Sequence, residues 1–430
     1  MTPSNETESQ SRHSAVMFTH KRKAMRAGKF LIGVLLTAAL VSAAAPASAQ
    51  GACRASGAGF DRWLEAFKQE AVAAGISRQT LAAVAPLLDY DINIIARDRA
   101  QRVFSQTFLE FSGRMVAKYR LDMGAKRIKQ LGSMFSRIEQ QFGVPPEPIV
   151  AFWGLETDFG ANIGNLPTLR ALATLAFDCR RPQLFRPQLI AALKIVERGD
   201  LTPEQMIGPF AGELGQLQFL PAHYFDYGVD YDGDGRRDLL KSAPDALASA
   251  ANYMKSHGWR RGEPWLQEVR VPANLPWDQA DLSIQHPRAQ WARWGVSYPG
   301  GRALPADNLP ASLLLPMGRF GPAFLAYPNF QVFLEWNQSL VYATTAAYFA
   351  TRLTGAPAVG HGAGQVEPFG YPEMRELQTI LARQGFKIGP IDGKLGLQTR
   401  AAIKQAQMRL GMPADSYPTP ELLQRLRGTR

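Results

Sequence analysis

The sequence predicts a mainly α-helical protein, with one large helical domain joined by a short linker to a small three-helix unit. Apolar residues recur at helical spacing through most of the chain, Gly and Pro crowd residues 355–370, and helical spacing resumes beyond them. A hydrophobic fraction of 46% in 430 residues allows a sizeable core and excludes wholesale disorder.

The chain opens with Lys21, Arg22, Lys23, Arg26 and Lys29 before an apolar run from Phe30 to Val41, and Ala47-Ser48-Ala49 follows. This three-part pattern predicts a secretory signal peptide over residues 1–49, cut after Ala49. The run is shorter than the roughly 20 residues of a membrane span. Cys53 follows Gln50-Gly51-Ala52, which lacks the aliphatic residue of a lipid-attachment site, so no lipid anchor is expected. Cys179 is the only other cysteine, and export makes a Cys53–Cys179 disulfide an expectation, with structural zinc disfavoured. The leader carries six Lys and Arg against Glu6 and Glu8, so of the formal +11 the exported part keeps about +7. These charges are scattered, which argues against a nucleic-acid partner and leaves an acidic extracytoplasmic one.

In residues 50–354, Phe60, Trp63, Leu64, Phe67 and Val72 mark a helix ended by Gly75, and Ser77 caps the next. Ile128, Leu131, Phe135, Ile138 and Phe142 mark another. Pro145-Pro146-Glu147 starts a helix that Ile149, Val150, Ala151, Phe152, Trp153 and Leu155 make apolar on nearly every face, which predicts burial. Further helices are expected over Ala246–Met254, capped by Pro244-Asp245, and over Val332–Leu353 as one long element. Residues 259–330 read as irregular, with short strands near Glu268–Val271 and Ala311–Pro316. Residues 355–370 form a flexible linker. In residues 371–430, Met374 to Leu381, Ala402 to Leu410 and Leu422 to Leu426 mark three helices around a Pro390-Ile391-Asp392-Gly393 turn.

Glu156 closes the buried helix. Loss of hydration there raises a carboxyl's pKa, and a protonated carboxyl near neutral pH is what acid-catalysed cleavage of a glycosidic bond requires. Taken alone, the segment favours a salt-bridged or solvent-reaching glutamate. Asp158, two positions on, points elsewhere on the helix.

The wider pattern reverses that preference. Ala151-Phe-Trp-Gly-Leu-Glu156-Thr-Asp-Phe-Gly160, Ala211-Gly-Glu-Leu-Gly-Gln-Leu-Gln218-Phe-Leu-Pro221, Ala250-Ala-Asn-Tyr253-Met-Lys-Ser-His-Gly-Trp259, Tyr327-Pro-Asn-Phe330 and Trp336-Asn337 occur in this order. Together they resemble the B-type lytic murein transglycosylases, over about Phe60 to Leu353. The resemblance implies a lysozyme-like α+β catalytic domain that cuts the β-1,4 bond between N-acetylmuramic acid and N-acetylglucosamine of peptidoglycan without water. The glutamate matching Glu156 would act first as acid and then as base, closing a 1,6-anhydro ring. By the same resemblance Gln218, Asn337, Tyr253 and Tyr342 would line the substrate cleft, and Arg180 and Arg181 would engage a peptide or lactyl carboxylate. Trp336 stands where some relatives have tyrosine, offering a stacking face without a hydroxyl. Plain alternatives remain: Tyr253 and Tyr342 as core residues, and Arg180 and Arg181 as surface charges.

Asp230, Asp232 and Asp234, with Gly at the sixth position and the Arg236 carbonyl at the seventh, begin as an EF-hand loop does. Lys241 replaces the bidentate glutamate at position twelve. Some B-type relatives close a longer loop with an aspartate matching Asp245, which is equally placed as a helix N-cap. A structural calcium and a calcium-free Asp-Gly turn both fit, and no cofactor is required.

Leu377-Gln378 through Asp392-Gly393, Gly396 and Thr399 to Leu426 resembles the three-helix peptidoglycan-binding domain, implying a tethered wall anchor. The expected partner is the peptidoglycan glycan strand and the expected location the periplasm, with the protein a monomer and its recruitment into cell-wall enzyme complexes open. A hydrolytic muramidase and a non-catalytic wall-binding scaffold are the competing readings.

Overall fold

The computed structural model describes residues 56–100 and 106–428. The expected leader and Cys53 lie outside them. Helices form the bulk of the large domain, and among the described residues no helix is long and apolar enough to cross a membrane.

At its centre is the helix Pro146–Thr157. Gly143 at φ 80° ends the preceding helix, Pro146 supplies a helical φ at the first turn, and residues 148–155 are buried. Helix Leu340–Leu353 packs along it at close range, because Gly154 leaves its backbone beside the Phe159 and Phe349 rings. Helix Lys118–Gln130 approaches from another side, with Gly124 against Val150 and Leu353.

The expected single helix over Val332–Leu353 is two helices, Pro328–Trp336 and Leu340–Leu353. Asn337 is extended, its Oδ1 accepts the Ser339 N–H at 2.9 Å, and the Ser339 hydroxyl caps the second helix. Such side-chain bonds to nearby backbone compete with helix continuation. A second correction concerns helix Ala243–Ser256: its N-cap is Ser242, whereas Asp245 is buried in the first turn.

The middle segment contains a four-stranded antiparallel sheet in the order Leu266–Val269, Ala323–Ala326, Pro310–Leu314, His286–Pro287. Two of its strands fall where strands were expected. Ala323–Ala326 is buried at all four positions and so lacks the alternation that betrays a half-exposed strand. The sheet carries its own small core around Trp291, Leu313 and Leu325.

The C-terminal module comprises helices Tyr371–Arg383, Leu397–Arg409 and Pro420–Gly428 around Leu377, Leu381, Ile403 and Leu422. Buried Gln378 accepts from the Gly393 N–H at 2.8 Å and donates toward Asp392 and Thr399, which fixes the Asp-Gly turn. The linker is not the free tether that its composition predicts. Val359 N–H donates to the Tyr348 hydroxyl, Gly360 N–H to Glu268, and Ala363 and Gly364 N–H to the Phe320 carbonyl. Gly362, at φ 95°, lies where a side chain would collide with the Gly321 backbone. The module itself docks on the large domain: buried Arg400 donates to the Leu315 and Pro316 carbonyls, Lys404 pairs with Asp281 at 3.1 Å, and Arg319 faces Asp415.

Candidate active site

Glu156 occupies the last turn of the central helix, just before the chain turns out through left-handed Asp158 and Phe159. The broken helix brings two donors to its Oε1: the Trp336 indole N–H at 3.0 Å and the Tyr342 hydroxyl. The first ends one half of the break and the second lies in the first turn of the other. An unbroken helix would not offer this pair of positions. Phe152 stacks on Trp336 with ring centres 4.1 Å apart, so the central helix itself holds the indole that binds its own glutamate.

Glu156 keeps partial access to solvent as a residue, yet its carboxyl is enclosed by protein. Burial dominates and pushes its pKa up to about 7, the Tyr342 and Trp336 hydrogen bonds pull it down, and the nearby Glu213 charge pushes it up. Burial and the Glu156 charge hold the Tyr342 hydroxyl well above its ordinary range, so Tyr342 remains a donor at neutral pH. Asp158 indeed points away, to Arg120 at 2.7 Å and Tyr119 at 3.0 Å.

Gln218 comes from the tight turn Leu214–Phe219, closed by paired backbone bonds. Its φ of 49° is unusual for a residue with a side chain, and its amide nitrogen donates to the Gly215 carbonyl at 2.8 Å. Gln216, which sequence reasoning passed over, moors this turn to the central helix. Its Oε1 accepts from the Trp153 indole at 3.0 Å, and its carbonyl accepts from the Thr157 hydroxyl at 2.6 Å. Glu213, at the mouth of the same turn, is the second carboxyl that the sequence did not reveal as a neighbour of Glu156. Burial raises its pKa too, and its Oε2 is buried without a hydrogen-bond partner.

Tyr253 donates to the Glu335 carbonyl at 3.0 Å and meets Trp336 edge-on, 5.2 Å between centres, with His257 stacked on its other side. It thus packs against Trp336, with its hydroxyl engaged by backbone. Asn337 adjoins Trp336 at the helix break. In the Tyr327-Pro-Asn-Phe330 segment, fully buried Asn329 bonds the Arg260 N–H and the Arg260 and Glu263 carbonyls, a structural employment.

Arg180 and Arg181 are not among the contacts of Glu156. Both bind the buried Asp98 carboxylate, Arg180 at 2.8 Å. Cys179, just before them, is disulfide-bonded, and its expected partner Cys53 is outside the described residues.

Ligand oxygens of Asp230, Asp232 and Asp234 lie within 4.8 Å of one another, a donor set that suits a hard cation such as calcium. Asp230 also accepts from the Gly233 and Gly235 N–H groups, while Arg236 directs its guanidinium at Asp234. Asp245 is not in the cluster. Its two oxygens take the N–H groups of Tyr231, Asp232 and Asp238, so its observed work is to hold the loop's backbone.

The model of the transglycosylase SLT domain family matches residues 59–351, and that of a peptidoglycan binding domain matches residues 370–426. Membrane-bound lytic murein transglycosylase B of Escherichia coli K12 is 33% identical over 242 residues, which are 55% of this chain and 64% of that protein. SltB3 of Pseudomonas aeruginosa, solved in complex with NAG-anhNAM-pentapeptide, superposes with a TM-score of 0.79 at 40% identity, covering 86% of this chain and 99% of that one. Escherichia coli Slt35 in complex with calcium gives 0.56 at 28% identity, covering 68% and 92%.

Proposed function

The chain belongs to the transglycosylase SLT domain family, and from that membership we propose that it cuts the β-1,4 bond between N-acetylmuramic acid and N-acetylglucosamine of peptidoglycan non-hydrolytically, leaving 1,6-anhydromuramic acid ends. The observation that carries this reading is the enclosed carboxyl of Glu156, with a pKa of about 7 and two donors on one oxygen.

Near neutral pH a large share of Glu156 is protonated and can give its proton to the leaving oxygen. As that proton departs, the Trp336 N–H and Tyr342 O–H strengthen on the new carboxylate, which spreads the charge without a water molecule. The carboxylate then takes the proton of the muramic C6 hydroxyl, whose oxygen attacks C1 and closes the anhydro ring. Positive charge developing at C1 falls to the substrate's own acetamido group. Gln218 and Asn337 would orient the sugar.

Glu213 favours one second reading, hydrolysis with two carboxylates. Its Oε2 is buried away from solvent and makes no hydrogen bond, which leaves it no opening to a sugar carbon or a water, so the single-carboxyl route is preferred. Replacing Glu156 with Gln keeps the shape and both hydrogen bonds but removes the transferable proton. The variant should bind sacculi yet cleave them slower on the order of a thousandfold, and undiminished cleavage would reject the assignment.

The C-terminal module and the basic charge suit a wall polymer, and action there puts the protein at the cell wall, with the signal peptide and the periplasm as the matching route and place. For calcium, Asp230, Asp232, Asp234 and the Arg236 carbonyl would hold the ion and brace the loop before helix Ala243–Ser256, with no part in the chemistry.

A further inference from the structure

We propose that the cavity between the large domain and the C-terminal module is a subsite for the acidic stem peptide of the glycan strand, with Arg114 and Lys394 as its carboxylate-binding groups. The inference rests on the peptidoglycan reading and adds to it a place for the peptide and an active part for the module.

The cavity holds about 410 Å³. One wall is Phe111 and Arg114 of helix Phe108–Met115, another is the start of helix Leu340–Leu353, and the third is the module's Lys394 and Tyr417. Its lining contains three cations, Arg114, Lys394 and Arg400, and no Asp or Glu. Arg114 is exposed and its described partner is the neutral Gln106 amide, 2.8 Å away. Lys394 is exposed, and no carboxylate among the described residues pairs with it. Arg400 is buried with main-chain carbonyls as acceptors. Glu110, on the same helix as Arg114, accepts the Thr107 N–H and hydroxyl on its Oε2 at 2.8 and 2.9 Å, does not line the cavity, and its charge reaches the lining Tyr417. The Asp415 and Asp281 charges act on Arg400, so the free positive charge of this partly enclosed apolar recess is that of Arg114 and Lys394, which suits an anion with some apolar bulk.

Tyr342 ties the recess to the reaction. Its side chain reaches Glu156, and the same residue lines the cavity. The cavity and the Glu156 carboxyl therefore share Tyr342 as a neighbour, and a peptide hanging from the muramic sugar beside the cleaved bond would pass it to reach the cavity. Arg180 and Arg181, the other cations considered for carboxylates, share the Asp98 carboxylate and do not line this recess.

The test is binding to the full chain carrying Glu156→Gln, which separates it from catalysis. The probes are muramoyl pentapeptide and the same compound with its carboxylates amidated, titrated calorimetrically. The acidic probe should bind at least fivefold tighter, and adding R114Q and K394Q should bring the two affinities within a factor of two. Equal binding of the two probes before those changes would overturn the proposal, as would a preference that survives them. Failure of the parent to cleave sacculi would reject the enzyme reading instead, a separate outcome. Both replaced side chains are exposed, and circular dichroism confirms that the variant is folded.

Discussion

From its own segment Glu156 was legible only as a buried carboxyl, because the apolar run from Ile149 to Leu155 announces burial but not partners; the downstream segments and the resemblance gave it the acid-base role. Its two donors lie 180 and 186 positions away, a distance that no local pattern spans. The resemblance named Tyr342 as a cleft residue but gave Trp336 only a stacking face, whereas its N–H is a second donor to Glu156. These donors make testable statements. In the parent, cleavage should fall about tenfold per pH unit above a limb near pH 7, where the acid is lost. Both bonds favour the charged carboxylate, so Tyr342→Phe and Trp336→Phe should each move that limb to higher pH while lowering the maximal rate roughly tenfold to a hundredfold. A limb displaced to lower pH would contradict the geometry. Stability carries the same sign. The folded carboxyl keeps its proton up to about pH 7 while the unfolded one releases it near 4.5, so the parent loses stability as pH rises through that window. Glu156→Gln should therefore gain on the parent by up to about 3 kcal/mol at pH 8 relative to pH 4.5, measured by denaturant unfolding.

Among the elements, helices with amphipathic or wholly apolar faces were readable, as were two strands of the sheet and the Asp-Gly turn of the module. The break at Asn337 was not. The apolar residues on either side keep helical spacing, and the interruption comes from hydrogen bonds of Asn337 and Ser339 that compete with the helix. The Leu214–Phe219 turn was visible as a motif without its mooring, since Gln216 acts through Trp153 and Thr157 on another element. Asn329 illustrates a motif residue with a packing role: Asn329→Ala should leave the Arg260 N–H and the Glu263 carbonyl without their Asn329 partner and cost about 1–2 kcal/mol by denaturant unfolding. Gly154→Ala would place a methyl 2.9 Å from Phe159 and 3.0 Å from Phe349. Prying apart the two central helices should cost about 1–3 kcal/mol and slow cleavage, because Tyr342 rides on the displaced helix.

For the whole molecule, composition indicated two units and a linker. Gly and Pro permit flexibility, and composition could not show the backbone bonds that the linker makes to Tyr348, Glu268 and Phe320. The calcium loop remains a question of ligand count: three converging carboxylates without the bidentate glutamate predict weak binding. Calcium at ten times its dissociation constant should stabilise the parent by about 1.4 kcal/mol, read as a raised Tm that Asp232→Ala abolishes; an unchanged parent Tm in millimolar calcium would favour the metal-free turn. The central claim is that one carboxyl serves as acid and base, with the substrate's hydroxyl in place of water. Mass spectrometry of the soluble products from purified sacculi tests it most directly. Muropeptides lighter by one water, resistant to borohydride reduction and ending in 1,6-anhydromuramic acid, are the predicted result, and reducible muramic ends would contradict it.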